Sequence, residues 1–162
     1  MTATALFLLG SNRGDRRAAL RRAVRALGRV PGVRVSAVSR VFETAPVGPS
    51  RRPYLNLAVR AETSRRAMGL LVEAKILEAA AGRRPGPRWG ARVLDVDLIA
   101  LGDERARTRW LTLPHPRAAE RAFVLAPLAE VAPRRRLRAG TVSRLLARLA
   151  PTAAQVRPVG RL

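Results

Sequence analysis

Cysteine is absent from the 162 residues, and lysine occurs once, at position 75. Without cysteine the chain has neither a disulfide framework nor a thiolate metal site. Aromatic residues are also scarce, at 4% of the total, so the core has to be built almost entirely from aliphatic side chains. No apolar run approaches the roughly 18 residues that a membrane-spanning helix needs, and no membrane association is expected. Met1–Gly10 is apolar but lacks a basic start and a small-residue cleavage site, so a cytoplasmic location is expected. No internal repeat and no dividing linker occurs, and residues 1–162 read as one domain, long enough to bury a core without staples.

Acidic residues are the next scarcity, 11 against 32 basic ones for a net charge of +21. Arginine supplies every basic residue except Lys75. A choice this one-sided points to a GC-rich coding bias more than to function. The surface should still attract polyanions and phosphorylated ligands. A dedicated nucleic-acid binder and a merely solvated basic exterior both fit the charge. An RNA-binding strand, however, would display aromatics in a pattern such as Arg/Lys-Gly-Phe/Tyr-x-Phe. No such strand occurs, and no specific nucleic-acid partner is expected.

The pattern of apolar residues gives the element order. Ala3–Leu9 is a continuous apolar run ended by Gly10-Ser11-Asn12, a buried strand. Asp15 is placed to cap a helix carrying Leu20, Val24 and Leu27 up to Gly28. Residues 33–43 alternate as a single strand, and Tyr54–Thr63 forms another after a Pro/Gly/Arg-rich loop. Ser64 is placed to cap a helix whose Met68, Leu71, Val72, Ile76 and Ala79 keep helical spacing to Gly82. A second loop spans 83–92, followed by a strand over Val93–Leu101 and a short one near Arg109–Leu113. Pro116 suits the first turn of a helix covering Phe123, Val124 and Leu128, and Thr141 caps a last helix that Pro151 ends. The β-α-β-β-α-β order predicts an α+β, ferredoxin-like sandwich, an antiparallel sheet with helices packed on it.

The residues that can carry chemistry cluster in the second half of that order. In Leu94-Asp95-Val96-Asp97-Leu98 a strand turns both carboxylates to one face, their Cα atoms about 6.6 Å apart. A magnesium-polyphosphate site uses such a pair, as does a surface alternation neutralised by arginine. The preceding loop, with Arg83, Arg84, Arg88 and Arg92 around Pro85, Gly86, Pro87 and Trp89, favours the first. It combines mobility with guanidinium forks that stabilise phosphoryl charge. Tyr54, Trp89 and Phe123 occupy three loop-adjacent segments and suit a planar heterocycle, whereas Phe7 and Phe42 read as core. Asn56, on the strand face of Tyr54, offers a donor and an acceptor to a ring edge. His115, the only histidine, stands between prolines and near Arg117 and Arg121, where it can donate to phosphate.

Taken in order, Leu9-Gly10-Ser11-Asn12-x-Gly14-Asp15, Tyr54-Leu55-Asn56, Arg88-Trp89-Gly90-x-Arg92-x-Leu94-Asp95-x-Asp97, Pro114-His115-Pro116-Arg117 and Glu120-Arg121-x-Phe123-Val124-Leu125 resemble the 6-hydroxymethyl-7,8-dihydropterin pyrophosphokinases of folate biosynthesis. The likeness runs from about residue 5 to 150. It implies transfer of pyrophosphate from ATP to the pterin hydroxymethyl group with release of AMP. A catalytically silent pterin or nucleotide binder is the alternative, against which the Asp pair and Arg92 argue. With nothing pointing to an obligate assembly, a monomer acting on two small molecules is expected. The resemblance also implies two Mg²⁺ ions on Asp95 and Asp97. Tyr54 and Phe123 would hold the pterin ring with Trp89 alongside, while Asn56 and the backbone near Thr44 and Val47 read its edges. Arg92, His115, Arg121 and either Arg83 or Arg84 would face the phosphates, with Arg83 and Arg92 serving catalysis. Leu71, Leu98 and Thr112 would line the adenosine pocket, with Trp89 contributing. The chain departs from the family pattern at Ala91 and Ala45, where proline is common, and at Trp110, where some members are polar.

Overall fold

The computed structural model describes residues 1–46, 51–82 and 92–162. Among these, β1 (Ala3–Ser11), α1 (Arg16–Leu27), β2 (Val33–Val38), β3 (Phe42–Thr44), β4 (Tyr54–Thr63), α2 (Ala67–Ala80) and β5 (Asp95–Leu101) follow the expected order. A small hairpin, β6 (Ala106–Arg107) with β7 (Thr112–Leu113), leads through a 3-10 turn at Ala118–Glu120 into α3 (Ala122–Val131). The chain then forms β8 (Arg136–Leu137), β9 (Gly140–Thr141), α4 (Val142–Arg148), α5 (Ala150–Ala153) and β10 (Val156–Pro158). The main sheet runs β10-β3-β4-β1-β5, with β2 also on β4, and its pairings are antiparallel. This is the ferredoxin-like α+β sandwich. Among the described residues, no helix is long and apolar enough to cross a membrane.

Ala5–Leu9 of β1 are all apolar and buried because both faces of the strand are covered there. Ala5, Phe7 and Leu9 pack with Leu20, Ala23 and Leu27 of α1 and with Ala67, Leu70 and Ala74 of α2. Leu6 and Leu8 turn the other way, onto Val124, Leu125 and Leu128 of α3 and Val142 and Leu145 of α4. The second layer extends along only part of that face, and the part it leaves open is where the polar residues of the sheet gather.

Local signals account for most boundaries. The Asp15 carboxylate accepts the Ala18 N–H at 2.9 Å and starts α1. Thr141 accepts the Arg144 N–H and starts α4. Gly82 takes φ +85° just beyond α2, a conformation that favours glycine.

Four expectations need correction. The strand over 33–43 is interrupted, because the Ser39 hydroxyl accepts the Ala58 N–H at 2.8 Å and Val41 pairs with Val159 and Gly160 instead of β4. Ser64 does not cap α2. The helix begins three residues later, after Thr63 Oγ1 has accepted the Arg65 N–H and ordered the turn. Pro116 precedes the helix it was expected to open. The His115 N–H is held by the Ile99 carbonyl at 2.8 Å, and extended backbone at Arg121 separates the 3-10 turn from α3. Pro151 stands in the first turn of α5 rather than ending the helix from Thr141.

The buried stripe of α2 is also displaced from the one its largest apolar residues suggested. Ala67, Leu70, Ala74 and Glu78 are buried, while Met68, Val72 and Ile76 are exposed. Replacing Val72 or Ile76 by glutamine should therefore change stability by no more than about 0.5 kcal/mol. Leu70→Ala should cost about 2–5 kcal/mol in a denaturant titration. Equal losses at Leu70 and Ile76 would contradict this packing.

Candidate active site

Three strands present one row of side chains to the open part of the face shared with α3. Gly10 of β1 pairs with Asn56 of β4 on one side and Asp95 of β5 on the other. Two residues along, Leu8 pairs with Asp97. Strand alternation sends Val96 and Leu98 into the opposite core, so both aspartates reach the open side. Tyr54 lies two residues before Asn56, opposite Thr44 of β3. With Lys75, Arg92, His115, Arg117, Arg121 and Phe123, these residues line a cavity of about 520 Å³, large enough for a small-molecule ligand.

Gly10 is required by this crowding. A Cβ at that position would lie 2.6 Å from Asn56 Oδ1, so any other residue would displace the amide from the row. Asn12, fully buried just beyond β1, holds the entry to β5. Its N–H donates to the Arg92 carbonyl at 3.0 Å, and its Oδ1 accepts the Arg92 N–H at 2.6 Å. The backbone so fixed lets Arg92 Nη1 donate to Asp95 Oδ1 at 3.3 Å. On the far wall the Arg121 guanidinium lies 5.6 Å from the centre of the Phe123 ring.

Charge in the cavity is strongly perturbed. Burial raises the Asp95 carboxyl from 3.8 to about 6, and the negative charges of Asp97 and Glu78 add to this against the opposing pull of Arg92. The Tyr54 hydroxyl is raised, first by burial and then by Asp95. His115 is lowered by burial, with Arg121 and Arg117 adding to the effect and Asp97 opposing it. Its Nδ1 accepts the Arg117 N–H at 3.3 Å, so the neutral ring carries its proton on Nε2, a donor suited to an anion.

The aspartate pair fits Mg²⁺ by its chemistry. It supplies hard oxygen donors from two carboxylates whose mutual repulsion a cation would relieve. Among the described residues, no group of three or more His, Cys, Asp or Glu could hold a metal by itself. Any ion on Asp95 and Asp97 must complete its shell from water or from the phosphates of a ligand.

The structure therefore brings together Thr44, Tyr54, Asn56, Arg92, Asp95, Asp97, His115, Arg121 and Phe123 from among the sequence candidates. Leu71, Leu98 and Thr112 do not line the cavity. Leu98 points into the core because it alternates with Asp97, Leu71 packs against that same core, and Thr112 lies half-buried on β7. Val47, Arg83, Arg84 and Trp89 lie outside the described residues. Sequence reasoning missed Lys75 and Arg117 as lining residues and Glu78 as a buried charge. For Lys75 its uniqueness was a signal; for Glu78 the sequence offered none.

A sequence model of the 7,8-dihydro-6-hydroxymethylpterin-pyrophosphokinase (HPPK) family matches residues 6–133. The 2-amino-4-hydroxy-6-hydroxymethyldihydropteridine pyrophosphokinase of Methylorubrum extorquens is 43% identical over 145 residues, covering 89% of this chain and 92% of the relative. The protein of the same name from Bacillus subtilis is 43% identical over 132 residues, covering 81% and 79%. Among solved structures, an HPPK-DHPS in complex with substrates superposes with a TM-score of 0.73 at 11% identity, covering 94% of this chain and 44% of that one. The Plasmodium falciparum HPPK-DHPS A437G variant with pteroate superposes with a TM-score of 0.71 at 13% identity, covering 96% and 44%. The chain thus spans less than half the length of these solved chains, and at such identities the likeness shows the fold alone.

Because Asp95 titrates higher when folded than its ordinary 3.8, the folded metal-free protein binds a proton that the unfolded chain has already lost. Its stability should fall as pH rises from about 4 through 6, by something of the order of 3 kcal/mol from this group. In thermal unfolding with chelator, Asp95→Asn should melt above wild type at pH 8 and converge with it near pH 4. A lower melting temperature for the variant at pH 8 would contradict the assignment.

Proposed function

Because the chain belongs to the 7,8-dihydro-6-hydroxymethylpterin-pyrophosphokinase family, we infer that it transfers pyrophosphate from ATP to the hydroxymethyl group of 6-hydroxymethyl-7,8-dihydropterin, releasing AMP. The observation that carries this reading is the meeting, in one cavity, of an aspartate pair, several cationic side chains, and two aromatic rings with an amide. A polyphosphate needs the first two and a flat bicyclic alcohol needs the third.

In the reaction the hydroxymethyl oxygen attacks the β-phosphorus of ATP. The bond from that phosphorus to the α,β-bridging oxygen breaks, AMP leaves with that oxygen, and the hydroxyl proton is released. Such a transfer asks the protein for alignment and charge stabilisation more than for covalent chemistry. Tyr54 and Phe123 hold the pterin ring, Asn56 reads its amide edge through both a donor and an acceptor, and the backbone at Thr44 and Val47 reads the rest. Arg92, Arg121 and the Nε2–H of His115 face the phosphates, joined by Arg83 or Arg84, with Trp89 near both substrates. Asp95 and Asp97 would hold two Mg²⁺ ions, which when bound would offset the charge on the phosphate oxygens. The adenosine end is assigned to the outer side of β5, where Leu71 of α2 and Thr112 of β7 belong to elements packed on that strand and Leu98 offers its backbone. The reading extends to residues 1–162 working as one monomeric unit in the cytoplasm, with nucleic acid attracted only by unspecific charge.

Incubation with ATP, Mg²⁺ and 6-hydroxymethyl-7,8-dihydropterin should yield AMP only when the pterin is present. ADP, or no turnover, would overturn the reading. Asp97→Asn should stay folded and lose about a hundredfold or more in turnover, the scale of removing one electrostatic stabiliser. Undiminished turnover would remove Asp97 from the mechanism.

A further inference from the structure

β5 is the last strand of the main sheet, so the N–H groups on its outer side have no neighbouring strand to receive them. One of these belongs to Val96, the residue between the two aspartates. Its N–H donates to Glu78 Oε1 of α2 at 2.9 Å. The other oxygen of the same carboxylate accepts from Lys75 Nζ at 3.0 Å, and Lys75, the only lysine in the chain, borders the cavity. Glu78 is 2% exposed. A buried carboxylate is costly unless it is paired and hydrogen-bonded, and both conditions are met here.

We propose that Glu78 is a positioning residue for the reaction: by holding the Val96 N–H it fixes the backbone from which Asp95 and Asp97 project towards the metal. The inference rests on the two-aspartate metal reading given above. Val96 shares one peptide plane with Asp95 and the other with Asp97, so immobilising it restricts the directions in which both Cβ atoms leave the strand. A charged acceptor makes such a bond about twice as strong as a neutral one. An unbraced edge strand would exchange the bond for water and let the aspartates drift independently. Metal sites tolerate such drift poorly, and losing a supporting hydrogen bond typically weakens binding by about tenfold or more. Lys75 supplies the countercharge that allows an ionised carboxylate to remain buried at this edge.

The test compares amide exchange with direct metal binding, neither of which requires turnover. In the wild-type metal-free protein the Val96 amide should exchange slowly, like amides paired inside the sheet; exchange at the rate of an open edge would overturn the proposal without any variant. Glu78→Leu should accelerate that exchange and raise the Mn²⁺ dissociation constant about tenfold, measured by water-proton relaxation with and without ATP. Glu78→Gln retains a carbonyl acceptor for Val96 and should stay within about threefold of wild type. Faster exchange with unchanged Mn²⁺ affinity in Glu78→Leu would overturn the proposal, as would an equal loss in Glu78→Gln. Asp95→Asn, titrated in parallel, separates the two layers of the argument. If it also leaves Mn²⁺ binding unchanged, the metal reading fails and the positioning role with it. If it abolishes binding while Glu78→Leu does not, only the positioning role fails.

Discussion

The register of β1 between β4 and β5 sets almost everything that the cavity can do. With Gly10 opposite both Asn56 and Asp95, and Leu8 opposite Asp97, polar side chains from two strands meet across a residue that has no side chain. A slip of one residue along β5 would turn Asp95 and Asp97 into the aliphatic core under α1 and α2, and would put Val96 and Leu98 in the cavity. Burying two unpaired carboxylates would cost far more than the exposed leucine and valine, so the core itself enforces the register. The site is thus placed by the same apolar packing that stabilises the sheet. Gly10 adds a second condition, since its missing Cβ is what leaves the Asn56 amide room to stand beside Asp95.

Ordering of the site's backbone comes from polar groups at the sheet margins. Asn12 fixes Arg92 from one end of β1, Glu78 reaches Val96 from α2, and the Ile99 carbonyl holds His115 from the outer side of β5. Each is a backbone contact, so each sets the direction of a neighbouring functional side chain without occupying the cavity. At the far edge β10 pairs with β3, and Arg157 bonds Glu43 at 2.8 Å. The end of the chain therefore supports the strand that carries Thr44.

Much of this was legible in the sequence because it follows from short-range patterns. Tyr54–Thr63 coincides with β4, the apolar run of β1 marks a buried strand, and the Asp-Val-Asp alternation puts two carboxylates on one side of a strand. What escaped depends on contacts between distant residues. Nothing in residues 33–43 announces that the Ser39 hydroxyl replaces a ladder bond. The spacing of Met68, Val72 and Ile76 suggested the buried stripe of α2, yet the helix turns its smaller residues inward because β5 and α1 lie close on that side. Nothing in the sequence around Glu78 marks it as buried. Its burial depends on the edge of β5, which lies 18 positions further along the chain. Leu98 follows Asp97 on β5, and the alternation that exposes the aspartate must bury its neighbour.

The strong positive charge of the whole protein and the chemistry of the cavity act in different ways. Several carboxylates are used up in surface pairs with arginine, among them Glu43, Glu62, Glu73 and Glu130, and pairs of that kind contribute little to stability. A net charge of +21 should favour the ionised form of any carboxylate, yet Asp95 is pushed the other way. The cause must be local: burial, together with Asp97 and Glu78, outweighs both the overall field and the adjacent Arg92. The overall field still governs approach from solution. It draws polyphosphate anions inward and repels small cations at distances up to about the Debye length, roughly 8–10 Å at physiological salt. A bare dication therefore approaches against the field, whereas one already carried by a polyphosphate approaches with it. At the aspartate pair such an ion would meet two carboxylates whose mutual repulsion its charge would relieve, the same charge that the rest of the surface resists.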